Sequence, residues 1–194
     1  MTETWQELDG TWDYTTLPDN IRIGQRCMLE RRSTFTKVRT DRDPGLIIGD
    51  DVVIHTYSDF AIHPNGYVEI GAGSVLVGAV LMCWEQITIG KRAVISYDVT
   101  IADSDFHPID AEQRRRDCEA LAPEGDGKRP PFASRAVVIG DDVHIGVGAF
   151  ILKGVRIGSG ARVGPAAVVT KDVPSGAYVE GNPGRVIPGG PRDQ

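Results

Sequence analysis

The chain is expected to fold as an all-β parallel β-helix, and three observations lead there. An aliphatic residue recurs at every sixth position, at Ile139, Ile145, Ile151, Ile157, Val163 and Val169. Glycine follows it directly at Gly140, Gly146, Gly158 and Gly164. A further small apolar residue comes four places after each aliphatic one: Val143, Ala149, Val155, Ala161, Ala167 and Val173. No α-helix repeats every six residues, and simple strand alternation would not hold glycine at one phase. A six-residue period suits a solenoid whose hexapeptides are short flat strands ending at corners. The aliphatic residue then points inward, and glycine allows the backbone angles and close contacts of a tight corner.

Taken in order, residues 1–20 carry Trp5, Trp12 and Tyr14 but no hexapeptide phase, as expected of a cap over the open end of a solenoid. Ile23-Gly24 with Cys27 is an isolated hexad, and residues 31–44 read as a polar loop. Ile48-Gly49 with Val52 restores the phase, His63-Pro64-Asn65-Gly66 reads as a turn, and Ile70-Gly71 resumes the repeat. After an irregular stretch from Met82 to Thr88, Ile89, Ile95 and Ile101 mark one coil of eighteen residues. The pattern then stops until Ile139, which leaves residues 107–138 as a 32-residue insertion. A loop of that length inside a compact repeat is expected to be functional or disordered. Its span 111–130, rich in charge, glycine and proline, is expected to be mobile without ligand. Residues 139–187 form regular C-terminal coils and a tail, and the 194 residues suit a single domain.

The net charge of −6 argues against a general nucleic-acid binder. From Phe150 onward, however, six basic residues outnumber three acidic ones. A locally basic end suits a small polyanion such as a nucleotide phosphate; solvated surface charge is the alternative reading. Cys27, Cys83 and Cys118 are odd in number and form no C-x-x-C pair, which fits reduced thiols in a cytoplasmic protein. The start MTETWQELDG does not read as a signal peptide, and no apolar run approaches membrane-spanning length.

The hexapeptides are followed by Val169-Thr170-Lys171-Asp172-Val173-Pro174 and then Gly181-Asn182-Pro183-Gly184-Arg185-Val186. Together they resemble the hexapeptide-repeat acyltransferases, and among these the maltose and galactoside O-acetyltransferase group. The resemblance covers Leu46 to Ile187. It implies a left-handed β-helix with three hexapeptides per coil; the period alone does not give the hand, and the usual crossover rule favours the right. It also implies acetyl-coenzyme A bound in a groove between neighbouring subunits; the repeat phase sets His107 and Val147 on different faces of one prism, so a homotrimer is expected. The positions matching the family's cofactor contacts are Val147, Pro165, Thr170, Lys171 and Arg185, with the Val147 amide placed to stabilise an oxyanion. Lys171 and Arg185 would pair with phosphates.

His107 opens the insertion as part of Asp105-Phe106-His107-Pro108, which resembles the segment carrying the family's general base. Imidazole titrates near neutrality and can take the proton of an attacking hydroxyl or amine. A carboxylate, Asp103 or Asp105 by sequence, would orient the ring. His144 stands where relatives often carry tryptophan, so ligand contact and plain exposure both remain open. The group's acceptor-contacting asparagine is absent from Leu81 to Gln86; Trp84 and Glu85, with Asp105, take its place as candidates for a small carbohydrate-like acceptor.

Two other classes share the fold. A γ-type carbonic anhydrase needs three imidazoles and a close His-x4-His pair, whereas His55 and His63 lie eight apart, so no metal site is expected. A non-catalytic scaffold could keep the prism, but would have no need of His107 or the long insertion. No cysteine or serine sits in a nucleophile–base arrangement, which favours direct transfer over an acyl-enzyme.

Overall fold

The computed structural model describes the strand Trp5–Gln6 and residues 17–190. Among the described residues, three sheets, parallel but for one closing strand, form the faces of a prism. Each coil lays one strand on each face in turn. Face one has six strands, including Ile87–Ile89, Val137–Ile139 and Arg156–Ile157. Face two has nine, including Val94–Ile95, His144–Ile145 and Arg162–Val163, and closes with the antiparallel Arg185–Val186. Face three has five, including Val80–Cys83, Thr100–Ala102, Phe150–Ile151 and Val168–Val169.

The hexapeptide phase decides what lies inside. Ile139, Ile145, Ile151, Ile157, Val163 and Val169 are all buried, and so are the small residues from Val143 to Val173. Ile145 stands beside Ile95 on one side and Val163 on the other, so like residues stack through the prism. Glycine after the aliphatic residue has a steric cause. A Cβ on Gly140 would sit 2.6 Å from the Ser159 amide nitrogen of the next coil. Close approach of successive coils, rather than backbone angle, fixes glycine there.

The region 31–44 contributes more than a polar loop. A short 3-10 helix, Arg32–Phe35, sends Phe35 into the core, with its ring 5.6 Å from that of Phe60. The proposed N-terminal cap falls mostly outside the described residues; within it, Trp5–Gln6 pairs in parallel with Cys27–Met28 at the end of face two. Cys27 and Cys83 are buried free thiols. Among the described residues no helix is long and apolar enough to cross a membrane.

The insertion leaves the prism at the corner between faces three and one and returns there. Ser104 bridges Ser134, and the Arg135 amide donates to the Asp103 carbonyl. Val137 and Val138 already stand in a strand of face one, so the excursion closes before the 107–138 boundary suggested by the repeat. The 32 extra residues leave the register intact, because Ile139 pairs with both Ile89 and Ile157.

The segment 111–130, expected as a loop, begins with regular structure. Ala111–Leu121 form a helix, α1. Asp110 caps it by accepting from the Gln113 amide, which satisfies one of the free donors of the first turn. Arg115 bonds Glu112 and Glu119 at helical spacing, so the charges that suggested disorder support a helical face instead. Asp117 on α1 is fully buried, and ties the helix to His107 and Arg129.

Candidate active site

His107 leaves the corner on a short backbone turn, with its amide donating to the Asp105 carbonyl at 2.7 Å. Its Nδ1 lies 2.6 Å from Asp117 Oδ2. The carboxylate of Asp117 has no exposure at all, whereas the imidazole is 52% exposed. An ionised carboxylate can only accept, so the proton of the neutral ring sits on Nδ1 and Nε2 is left as a base. Arg129 meets the same carboxylate from the other side, Nε to Oδ1 at 2.7 Å. The Arg129 guanidinium, and after it the His107 bond, hold the Asp117 carboxyl down at about 2, against the opposing effect of burial. The carboxylate is therefore charged wherever an enzyme works.

Neither carboxylate expected to orient His107 does so. Asp103 is fully buried and accepts from the amides of Trp84, Glu85 and Gln86 at 2.7, 2.7 and 2.8 Å, pinning the preceding coil's corner. Asp105 is ion-paired with Lys153, one coil further on. The orienting carboxylate instead comes from α1, ten residues past His107. Sequence reasoning missed both Asp117 and Arg129. The available signal was the Asp110 cap with Gln113 three residues later, which starts a helix and places one face of it toward the corner.

Trp84 stands against the same group. Its ring lies 4.2 Å from His63 and 4.5 Å from Phe132, the latter supplied by the insertion. Glu85 accepts from the Ser134 hydroxyl at 2.8 Å. Thus Trp84, Glu85 and Asp105 share one corner with His107. His55 and His63 do not converge: His55 bonds Glu30 at 2.6 Å, and His63 packs on Trp84.

The positions matched to donor binding fall into two groups. Lys171 and Arg185 line one cavity, with Asp172 and Gly184, at the C-terminal end. Thr170 is exposed on the same corner of faces three and one. Val147 and Pro165 are exposed on the other corner, between faces two and three, where the Ala166 amide donates to the Val147 carbonyl. His144 faces outward on face two between Val94 and Arg162. A single chain therefore separates His107 from Val147 by one face of the prism.

Residues 136–171 match the family model of bacterial transferase hexapeptide repeats. Over these residues the chain is similar to the bacterial hexapeptide-repeat transferases. Among its relatives is nodulation protein L of Rhizobium meliloti, 44% identical over 120 residues, which are 61% of this chain and 58% of the relative. The match thus leaves a large part of that relative's length uncovered. A maltose O-acetyltransferase from Clostridium difficile is 28% identical, with a TM-score of 0.55 over 70% of this chain and 65% of that one. A hexapeptide-repeat acetyltransferase from Vibrio cholerae, complexed with acetyl-coenzyme A, is 27% identical, with a TM-score of 0.52 over 71% and 69% of the two chains.

Proposed function

We propose that the chain transfers an acetyl group from acetyl-coenzyme A directly to a hydroxyl or amine of a small carbohydrate-like acceptor, with His107 as general base. The observation that carries this reading is the half-exposed imidazole held by a fully buried, ionised Asp117. Nε2 takes the acceptor's proton as its oxygen or nitrogen attacks the thioester carbonyl. The negative charge passes to the carbonyl oxygen, where the Val147 amide of a neighbouring subunit donates to it. Collapse of that intermediate breaks the carbon–sulfur bond, and the imidazolium returns the proton to the thiolate. Asp117 supports the imidazolium in between.

Two further features support the donor. Lys171 and Arg185 line one cavity and have no ion pair among the described residues, as phosphate-binding cations require. Acetyl-coenzyme A is bound in the Vibrio cholerae relative. The carbohydrate acceptor rests on the maltose O-acetyltransferase likeness and on the aromatic wall of Trp84 and Phe132.

This reading includes a homotrimer, and the separation of His107 and Val147 onto different corners, which a neighbouring prism in a closed ring can bridge, supports it. The experiment is release of free thiol from acetyl-coenzyme A across a panel of sugars, amino sugars and small alcohols. A sugar-dependent signal that disappears in His107→Ala is expected; equal turnover in that variant overturns the mechanism.

A further inference from the structure

His107 is oriented by Asp117, but Asp117 is in turn oriented by Arg129. The guanidinium spans the carboxylate, with Nε 2.7 Å from Oδ1 and Nη2 2.9 Å from Oδ2. Nη2 also donates to the carbonyl of Phe106, the residue before His107. The same flat group lies over two rings, 4.9 Å from the centre of Phe132 and 5.7 Å from that of Trp84. Its side chain is only 20% exposed. One residue thereby joins α1, the backbone that carries the base, and the aromatic wall beside it.

We propose that Arg129 is a positioning residue: it locks Asp117 in one orientation, so that His107 keeps the Nδ1–H tautomer with Nε2 free, and its guanidinium answers part of the carboxylate charge that faces the ring. This deepens the reading of His107 as general base and rests on it. A fully buried carboxylate facing the imidazole alone would be a strong trap for the proton, because an undivided opposite charge favours the imidazolium. A base that keeps its proton cannot accept one from the acceptor. With Arg129 present, the carboxylate still accepts from Nδ1–H, but much of its charge is already answered by the guanidinium. The depressed Asp117 carboxyl, with Arg129 as its first cause, agrees with this division.

The charged groups around His107 are few. Asp117 and Arg129 touch it, and the Asp105 carboxylate is already paired with Lys153. Arg114 donates to the carbonyls of Pro108 and Ile109. Of these, only Arg129 neutralises the carboxylate that faces the ring. Lysine cannot replace it fully, because a point charge cannot engage both oxygens and a ring face at once.

The test uses the full chain and needs no known acceptor. Nitrogen-15 NMR of the His107 ring reports its tautomer and its titration midpoint. Wild type is expected to show the Nδ1–H form. In Arg129→Met the midpoint should rise by about one pH unit, and in Arg129→Lys by less. Where turnover is measured, kcat should fall ~10²-fold in Arg129→Met, with KM for acetyl-coenzyme A little changed. An unchanged tautomer and midpoint in a folded Arg129→Met overturns the proposal. If that variant does not fold, Arg129→Lys decides: a wild-type tautomer and midpoint there overturns it equally. Should the ring respond as expected while His107→Ala keeps full transferase activity, the base reading fails and the coupling of Arg129 to His107 stands.

Discussion

The coils from Ile139 to Val173 and the excursion from Ser104 to Ser134 are held together by different forces. In the coils strands pair in register with like strands of the neighbouring coils, and the interior is aliphatic throughout. In the excursion the anchors are polar: Asp117 with Arg129 and His107, Asp105 with Lys153, and Ser134 with Glu85. Apolar burial is non-directional and roughly additive, so the coils gain stability by repetition. Charge-assisted hydrogen bonds are directional, so the excursion gains geometry. The prism therefore carries the fold, and the excursion carries the geometry around His107.

The sharpest way to break this division is to place a charge in the coils. Ile151→Asp buries a carboxylate without a partner, at a cost of several kcal/mol against a marginal total. Loss of the cooperative thermal transition is expected. A soluble variant that melts normally contradicts the inward phase of the hexapeptide.

A matching change in the excursion should leave the fold and remove the activity. His107→Ala is expected to lower turnover by ~10²–10⁴-fold, the usual worth of a general base, while the thermal midpoint hardly moves. Calorimetry and thiol release on the same preparation compare the two effects directly. A large drop in midpoint contradicts the division of labour.

Mixing subunits sharpens the comparison, because it tests whether the excursion of one chain works on the coils of another. His107→Ala and Val147→Trp should each be inactive alone. Refolded together, about a quarter of interfaces carry both wild-type surfaces, and activity should return to about that level. Verified mixed trimers that stay inactive refute the interfacial site.

A smaller effect concerns acid. Asp117 sits at about 2 in the folded chain, below the ordinary carboxylate range near 4. A depressed group stabilises the fold above its unfolded pKa, and that contribution fades as pH falls toward the folded one. The difference in thermal midpoint between wild type and Asp117→Asn should therefore be constant above about pH 5 and close between about pH 4 and 2. A gap that stays constant down to pH 2 would show that Asp117 is not held by charge.

The six-residue period was enough to place nearly every core residue of the C-terminal coils, because in a solenoid the environment of a residue repeats with its phase. Ile139 to Val173 could be assigned inside or outside from spacing alone. The position of His107 at the break in that period was legible for the same reason: a break marks where the chain leaves the prism. The carboxylate partner of His107 was not. Asp103 and Asp105 are nearer in sequence, yet Asp103 is taken by three backbone amides and Asp105 by Lys153, and only the folding of α1 brings Asp117 to the ring. Periodicity reports neighbours that the repeat itself creates. A helix docked by one buried ion pair makes contacts that no repeat encodes, and the tertiary structure alone decides which carboxylate the histidine meets.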